Sequence, residues 1–144
     1  ISGTDADFVV KVIDVFPDNF QYSEANSSPT GRSGVASYPM NGYQMLVRGE
    51  IMRGKFRNSF TTPEPFKPNK IETVEFALPD VAHTFKKGHR LMIQVQSSWF
   101  PLADRNPQQF MNIYEAKPVD FKKATIKIYH DGSNSSSVSL PIMR

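Results

Sequence analysis

The sequence predicts an all-β sandwich of jelly-roll type, on three observations. Runs rich in β-branched and aromatic residues alternate with period two, as half-buried strands do. No stretch makes a convincing long helix, and most of the 11 prolines fall between the strand-like runs, where a missing N–H costs no ladder bond. The connections are long rather than tight hairpins, which favours a jelly roll over an up-and-down barrel. A chain of 144 residues is about one domain, able to bury about two-thirds of its unfolded surface. A single sandwich over residues 1–144 is therefore expected.

The first strand is expected over residues 7–15 (DFVVKVIDV), with Phe8, Val10 and Val12 on one face, ended by Phe16-Pro17-Asp18-Asn19. Residues 20–42 are dense in Ser, Gly, Pro and Asn without a period and read as a long loop, a type of segment that is usually functional or disordered in a compact domain. Strand character resumes over 44–56 (QMLVRGEIMRGKF), where Gly49 and Gly54 suggest a bulge or a close backbone approach. Pro63, Pro65 and Pro68 keep residues 61–70 from being a central strand. Residues 71–78 (IETVEFAL) alternate again, with Val74, Phe76 and Leu78 on one side. Residues 80–88 allow at most one helical turn, with Asp80 placed to cap it and Gly88 to end it.

The clearest strand follows in HRLMIQVQ, where Leu91, Ile93 and Val95 alternate with Met92, Gln94 and Gln96 and are expected to anchor the core. It runs into a loop holding the one tryptophan, Trp99, beside Phe100-Pro101, and closes on Asp104-Arg105-Asn106-Pro107. Residues 110–118 are ambiguous. The last strands are expected over 124–130 (ATIKIYH) and 138–143 (VSLPIM), with a hairpin-type signal at Asp131-Gly132-Ser133-Asn134 between them.

Composition and motifs exclude several chemistries. Lys and Arg total 17 against 14 Asp and Glu, a net charge of +3, but the basic residues are spread out, whereas a nucleic-acid reader carries a clustered stripe. No apolar run approaches the roughly 18 residues of a membrane span. Without cysteine there is neither a disulfide framework nor a thiolate metal site, though this does not set a compartment. Gly-x-Ser-x-Gly is absent, and Gly31-Arg32-Ser33-Gly34 has the wrong spacing and no strand-to-helix elbow. His83, His89 and His130 form no pair at i, i+2 or i+4, so no metal site is expected. Asp5 and Asp7 flank Ala6 at a strand start, where capping or a solvated turn is a better reading than a calcium corner. Asn26-Ser27-Ser28 and Asn134-Ser135-Ser136 match the glycosylation rule, a match that Ser-rich loops produce by chance. What remains is aromatic: Trp99, Phe100, Tyr38, Tyr43 and Tyr114 lie in or beside expected loops, where such side chains either plug the sandwich or meet partners.

Three ordered segments resemble a known family. The opening SGTDADF, continued by VVKVIDVFPD, is similar to the DTDF-x-x-K-L-x-D-V opening of the C-terminal domain of X-prolyl dipeptidyl-peptidases and their relatives. Those relatives include cocaine esterases, α-amino-acid ester hydrolases and glutaryl cephalosporanic acid acylase-type enzymes. GYQMLVRGEIMR resembles the middle strand of that domain, and AHTFKKGHRL leads into SSWFP and RNP in the family's order. The GYQMLVRGE and WFP forms look most like the acylase-type branch. The resemblance spans nearly the whole chain and implies a jelly-roll (galactose-binding-like) domain that follows an α/β-hydrolase domain carrying the Ser, Asp and His of a catalytic triad.

On that resemblance the chain is expected to be a noncatalytic accessory domain, with no catalytic, cofactor-binding or metal-binding residue of its own. Its expected partners are the α/β-hydrolase domain of the same polypeptide and, as a homo-oligomer, a second copy. No nucleic acid or membrane is among them. Contact is expected through Tyr38, Asn41, Tyr43, Trp99, Phe100 and Arg105. The alternative is a carbohydrate-binding module that presents its aromatic residues to sugar rings. The chain starts at Ile1 without an initiator methionine and reads as a piece of a longer protein. The family's domain begins a strand or more earlier, so an open sheet edge that a neighbour would pair is expected.

Overall fold

The structure is a computed structural model that describes residues 1–20 and 40–142. Three strands, β1 (Asp7–Val15), β2 (Gln44–Arg53) and β3 (Arg90–Gln96), form one antiparallel sheet in the order β2-β1-β3. Short 3-10 turns occupy Gly54–Phe56, Ile113–Glu115, Pro118–Asp120 and Gly132–Asn134. The all-β expectation holds. Contacts gather the chain into two compact units: Asp7–Arg53 with Glu75–Asp104, which contains the sheet, and Ile1–Ala6, Gly54–Val74 and Arg105–Arg144.

β1 carries the core of the sheet unit. Its side chains are covered on both faces, so Val9, Val12, Ile13 and Val15 are all buried while Phe8 and Val10 are only partly so. The expected one-sided face of Phe8, Val10 and Val12 gives way because a middle strand is not restricted to alternate burial. Against β2 the register runs evenly from Asp7↔Arg53 to Val12↔Arg48 and then shifts so that Ile13 faces Leu46. Val47 is the extra residue, a β-bulge on β2. The bulge thus lies beside the glycines rather than at them. Gly49 and Gly54 are sites of close approach: a Cβ on Gly49 would lie 2.6 Å from the Trp99 ring, and one on Gly54 2.5 Å from the Phe66 ring and 2.6 Å from the Ala6 carbonyl oxygen.

β3 keeps the expected alternation but not the expected burial. Leu91, Ile93 and Val95 lie opposite Asp14, Val12 and Val10, yet Leu91 is 46% and Val95 40% exposed. These residues do not anchor the core, because β3 is an edge with no neighbour on its outer flank among the described residues. Residues 71–78 also alternate, with Glu72, Val74, Phe76 and Leu78 half-buried. Neither they nor 124–130 nor 138–142 form a ladder among the described residues, since a strand needs a paired backbone as well as a pattern. Residue 143 lies outside the described residues. The expected helical turn over 80–88 is absent as well. Gly88 instead sits at φ +89° in a turn closed by His89 N–H donating to the Lys86 carbonyl at 3.0 Å.

The second unit is organised by two buried charged groups. Asp5 is fully buried. Its Oδ1 accepts from the backbone N–H of Ala6 (2.9 Å) and Lys55 (3.1 Å), and its Oδ2 from Asn106 Nδ2 (3.1 Å). Asn106 in turn accepts from Gln108 N–H at 2.8 Å and holds that residue at φ 65°. The Arg57 guanidinium lies 4.0 Å over the Phe66 ring, pairs with Glu72, and donates to the carbonyls of Gly54, Glu64 and Pro65. It thereby gathers the proline-rich stretch that cannot make its own ladder.

Two substitutions test this architecture. Asp5→Ala leaves two backbone donors and one amide without an acceptor and is expected to destabilise the chain by about 3 kcal/mol, read as a lowered denaturant midpoint. Gly49→Ala pushes a methyl group into the Trp99 ring and is expected to cost about 1–3 kcal/mol, with a shift in emission from the single tryptophan.

Candidate interaction surface

At the Val15 end of the sheet, two turns face each other. Pro17 accepts backbone hydrogen bonds from Phe20 and Gly42, Met40 accepts one from Tyr43, and Phe16 donates to Tyr43. Gly42 sits at φ +65°, a conformation glycine adopts at little cost. Asn41 Nδ2 donates to the Asp18 carbonyl at 2.6 Å. The Phe16 ring then packs edge-on against Phe20 (4.8 Å) and Tyr43 (5.9 Å) and lies 4.5 Å from the His89 ring. Tyr43 remains 48% exposed. Asn41 and Tyr43 are therefore brought together, and Tyr38 lies outside the described residues.

Trp99 and Phe100 stand elsewhere. β3 leaves the sheet where Gln96 faces Val9, so Trp99 follows the end of the sheet opposite Tyr43. Its ring lies across Gly49 with Lys11 Nζ 4.5 Å from the ring centroid. Glycine at 49 makes room for it, and a cation over the indole face adds attraction. Beyond a cis Phe100–Pro101 bond, Phe100 is 64% and Leu102 71% exposed. Arg105 belongs to the other compact unit, where its guanidinium lies 5.3 Å over the Phe121 ring. The described candidates thus comprise an Asn41–Tyr43 group and a Trp99–Phe100 group in the unit that contains the sheet, and Arg105 in the other unit.

Sequence reasoning missed the main polar cluster. Asp14, 1% exposed near the end of the central strand, holds two histidines at once: His83 Nε2 meets Oδ2 at 2.9 Å and His89 Nδ1 meets Oδ1 at 2.8 Å. Both carboxylate oxygens are occupied, and no hydroxyl is bonded to either imidazole among the described residues. The arrangement lacks the nucleophile of an acyl-transfer site. It ties the segment between Asp80 and His89 to β1, alongside Arg48, which donates to the Asp80 carbonyl. The only signal for it was an Asp at an inward strand position, because the partners lie far along the chain. Asp5 and Asp7 prove buried rather than solvated, Asp7 being paired with Arg53 at 3.2 Å. Among the described residues no group of three or more His, Asp or Glu side chains is arranged to hold a metal ion.

Residues 1–139 match the family model of the X-Pro dipeptidyl-peptidase C-terminal non-catalytic domain. Cocaine esterase from Rhodococcus sp. (strain MB1 Bresler) is 27% identical over 143 residues, which are 99% of this chain and 21% of the esterase. Among solved structures, a selenomethionine-labelled α-amino-acid ester hydrolase is similar with a TM-score of 0.69 and 46% identity, over 84% of this chain and 18% of the hydrolase. An aminopeptidase from a marine sediment Thaumarchaeota archaeon gives a TM-score of 0.69 and 44% identity over the same shares. The chain spans about a fifth of the length of these relatives. On residues 1–139, the chain belongs to the family of X-Pro dipeptidyl-peptidase C-terminal non-catalytic domains.

Proposed function

We propose that the chain is a single β-sandwich accessory domain at the C-terminal side of a larger serine hydrolase, of X-Pro dipeptidyl-peptidase or acylase type. It packs on the α/β-hydrolase domain of the same polypeptide and helps to shape the active-site entrance or the oligomer interface. The parent would cleave an ester or amide bond through an acyl-enzyme intermediate stabilised by an oxyanion hole. The observation that carries this reading is the family match over residues 1–139, in a chain that spans only a fifth of its hydrolase relatives. The exposed Phe100 and Leu102 beside the ordered Trp99 turn support it, since apolar side chains grouped on a surface mark sites of contact. The alternative of a sugar platform is less well supported, because the Trp99 ring already carries Lys11 over one face and abuts Gly49.

Two measurements test the reading. The chain alone, assayed with a chromogenic X-Pro amide and a simple aryl ester, is expected to give no turnover above background, and measurable hydrolysis would overturn the noncatalytic role. Leu102→Ala is expected to change the stability of the isolated chain by no more than about 0.5 kcal/mol. In the full-length hydrolase the same substitution should bring forward the loss of activity on heating, while binding of a glycan array by the chain, lost in Trp99→Ala, would instead establish the sugar-binding alternative.

A further inference from the structure

The fold gathers a basic excess that the sequence spreads out. The unit of Ile1–Ala6, Gly54–Val74 and Arg105–Arg144 holds ten basic residues against six acidic ones, a net charge of +4, while the unit that contains the sheet holds seven against eight, a net charge of −1. Within the basic unit, side chains between residues 57 and 72 line a cleft of about 520 Å³, a volume suited to a small ligand or a short segment.

The charges of this cleft are not equivalent. Glu72 pairs with Arg57, whose side chain is only 5% exposed, and Glu64 Oε2 accepts from Asn58 Nδ2 at 2.9 Å. Both carboxylates of the cleft therefore have a partner, and the Arg57 guanidinium is further committed to three backbone carbonyls. Lys67 and Lys70 also line the cleft and are exposed. Neither ammonium group has a hydrogen-bond or ion-pair partner among the described residues. A fixed turn carries the two: Lys70 N–H donates to the Lys67 carbonyl at 3.1 Å, Asn69 at φ 61° donates its N–H to the Ile1 carbonyl at 2.7 Å, and Lys67 N–H donates to Glu72 Oε1 at 3.3 Å. Pro65 and Ile71 add exposed apolar surface beside them.

We propose that the cleft docks an acidic peptide segment, its Asp or Glu carboxylates on the Lys67 and Lys70 ammonium groups and an aliphatic side chain on Pro65 and Ile71. Charge complementarity sets the sign of the partner, because the only unpaired charges of the cleft are positive and the surrounding unit shares their sign. A nucleic acid fits less well: its phosphates would pass the Glu64 and Glu72 carboxylates, and no aromatic side chain lines the cleft to stack on a base. Exposed ion pairs are individually weak, so a Kd of about 0.1–1 mM is expected.

Nothing in this docking requires a hydrolase domain, so the test uses the 144-residue chain. In an NMR titration at low salt, acetyl-Asp-Glu-Leu-Asp-Glu-amide should shift the amide signals of residues 67–72 with saturation, and roughly tenfold more salt should weaken binding at least about threefold. Lys67→Gln combined with Lys70→Gln should weaken it at least about fivefold, against less than about twofold for the same change at Lys86 and Lys87, exposed lysines of the other unit. The proposal is overturned by the lack of a saturable shift up to about 10 mM peptide, by equal losses in the two double variants, or by tighter binding of an oligonucleotide of the same charge. Should the Lys67 and Lys70 variant lose its native amide dispersion, the cationic peptide acetyl-Lys-Lys-Leu-Lys-Lys-amide decides on the unaltered chain: it should leave the signals of residues 67–72 in place, and saturable shifts there would equally overturn the proposal.

Discussion

The sheet is assembled through one strand, and each ladder within it depends on β1 keeping both of its neighbours. That constraint falls on nine residues whose β-branched side chains favour the extended backbone and whose burial on both faces supplies the apolar gain. Buried carboxylates stand at both ends: Asp7 meets Arg53 at the start, and Asp14 meets His83 and His89 towards the finish. Each is an expensive group to bury without partners. The cost is offset only when segments distant in sequence arrive in the right places, so these aspartates select the arrangement of the chain more than they add to its stability.

The same logic explains why the residues that carry the family resemblance turn out to be architectural. In SGTDADF, Asp5 accepts from the Lys55 backbone and the Asn106 amide. In GYQMLVRGE, Gly49 admits the Trp99 ring. In RNP, Asn106 and Pro107 are buried and Asn106 shapes the turn that follows. The three segments are thus linked by close approaches and hydrogen bonds that tolerate few other side chains, and such a pattern can identify a noncatalytic domain as firmly as a catalytic motif identifies an enzyme.

How much of this could be read from the sequence depended on whether the cause was local. β1 has the bounds expected from its β-branched run, and β3 departs by one residue from HRLMIQVQ, because period-two patterning and turn residues act over short range. Residues 71–78 and 124–130 have equally good patterns but no ladder among the described residues, since pairing depends on what another segment offers. The Val47 bulge left no mark because no glycine signals it. Residue type and loop position pick out the aromatic candidates, and those properties do not say that Tyr43 lies at the Val15 end of the sheet while the Trp99 ring lies across Gly49 at its middle. The Asp14 cluster is hidden for the opposite reason: spacing relates the histidines only to one another, while the group that unites them comes from the first strand.

Asp14 has a consequence for how this domain can diverge. One carboxylate satisfies two imidazoles, so replacing it with an apolar residue leaves two ring nitrogens without their partner, and replacing either histidine frees one oxygen of a buried anion. Neutral drift at any one of the three positions is therefore costly, whereas exchanging all of them for well-packed apolar residues is not. Positions 14, 83 and 89 form a single unit of inheritance, and lineages of the family should either keep the aspartate with both histidines or lose them together.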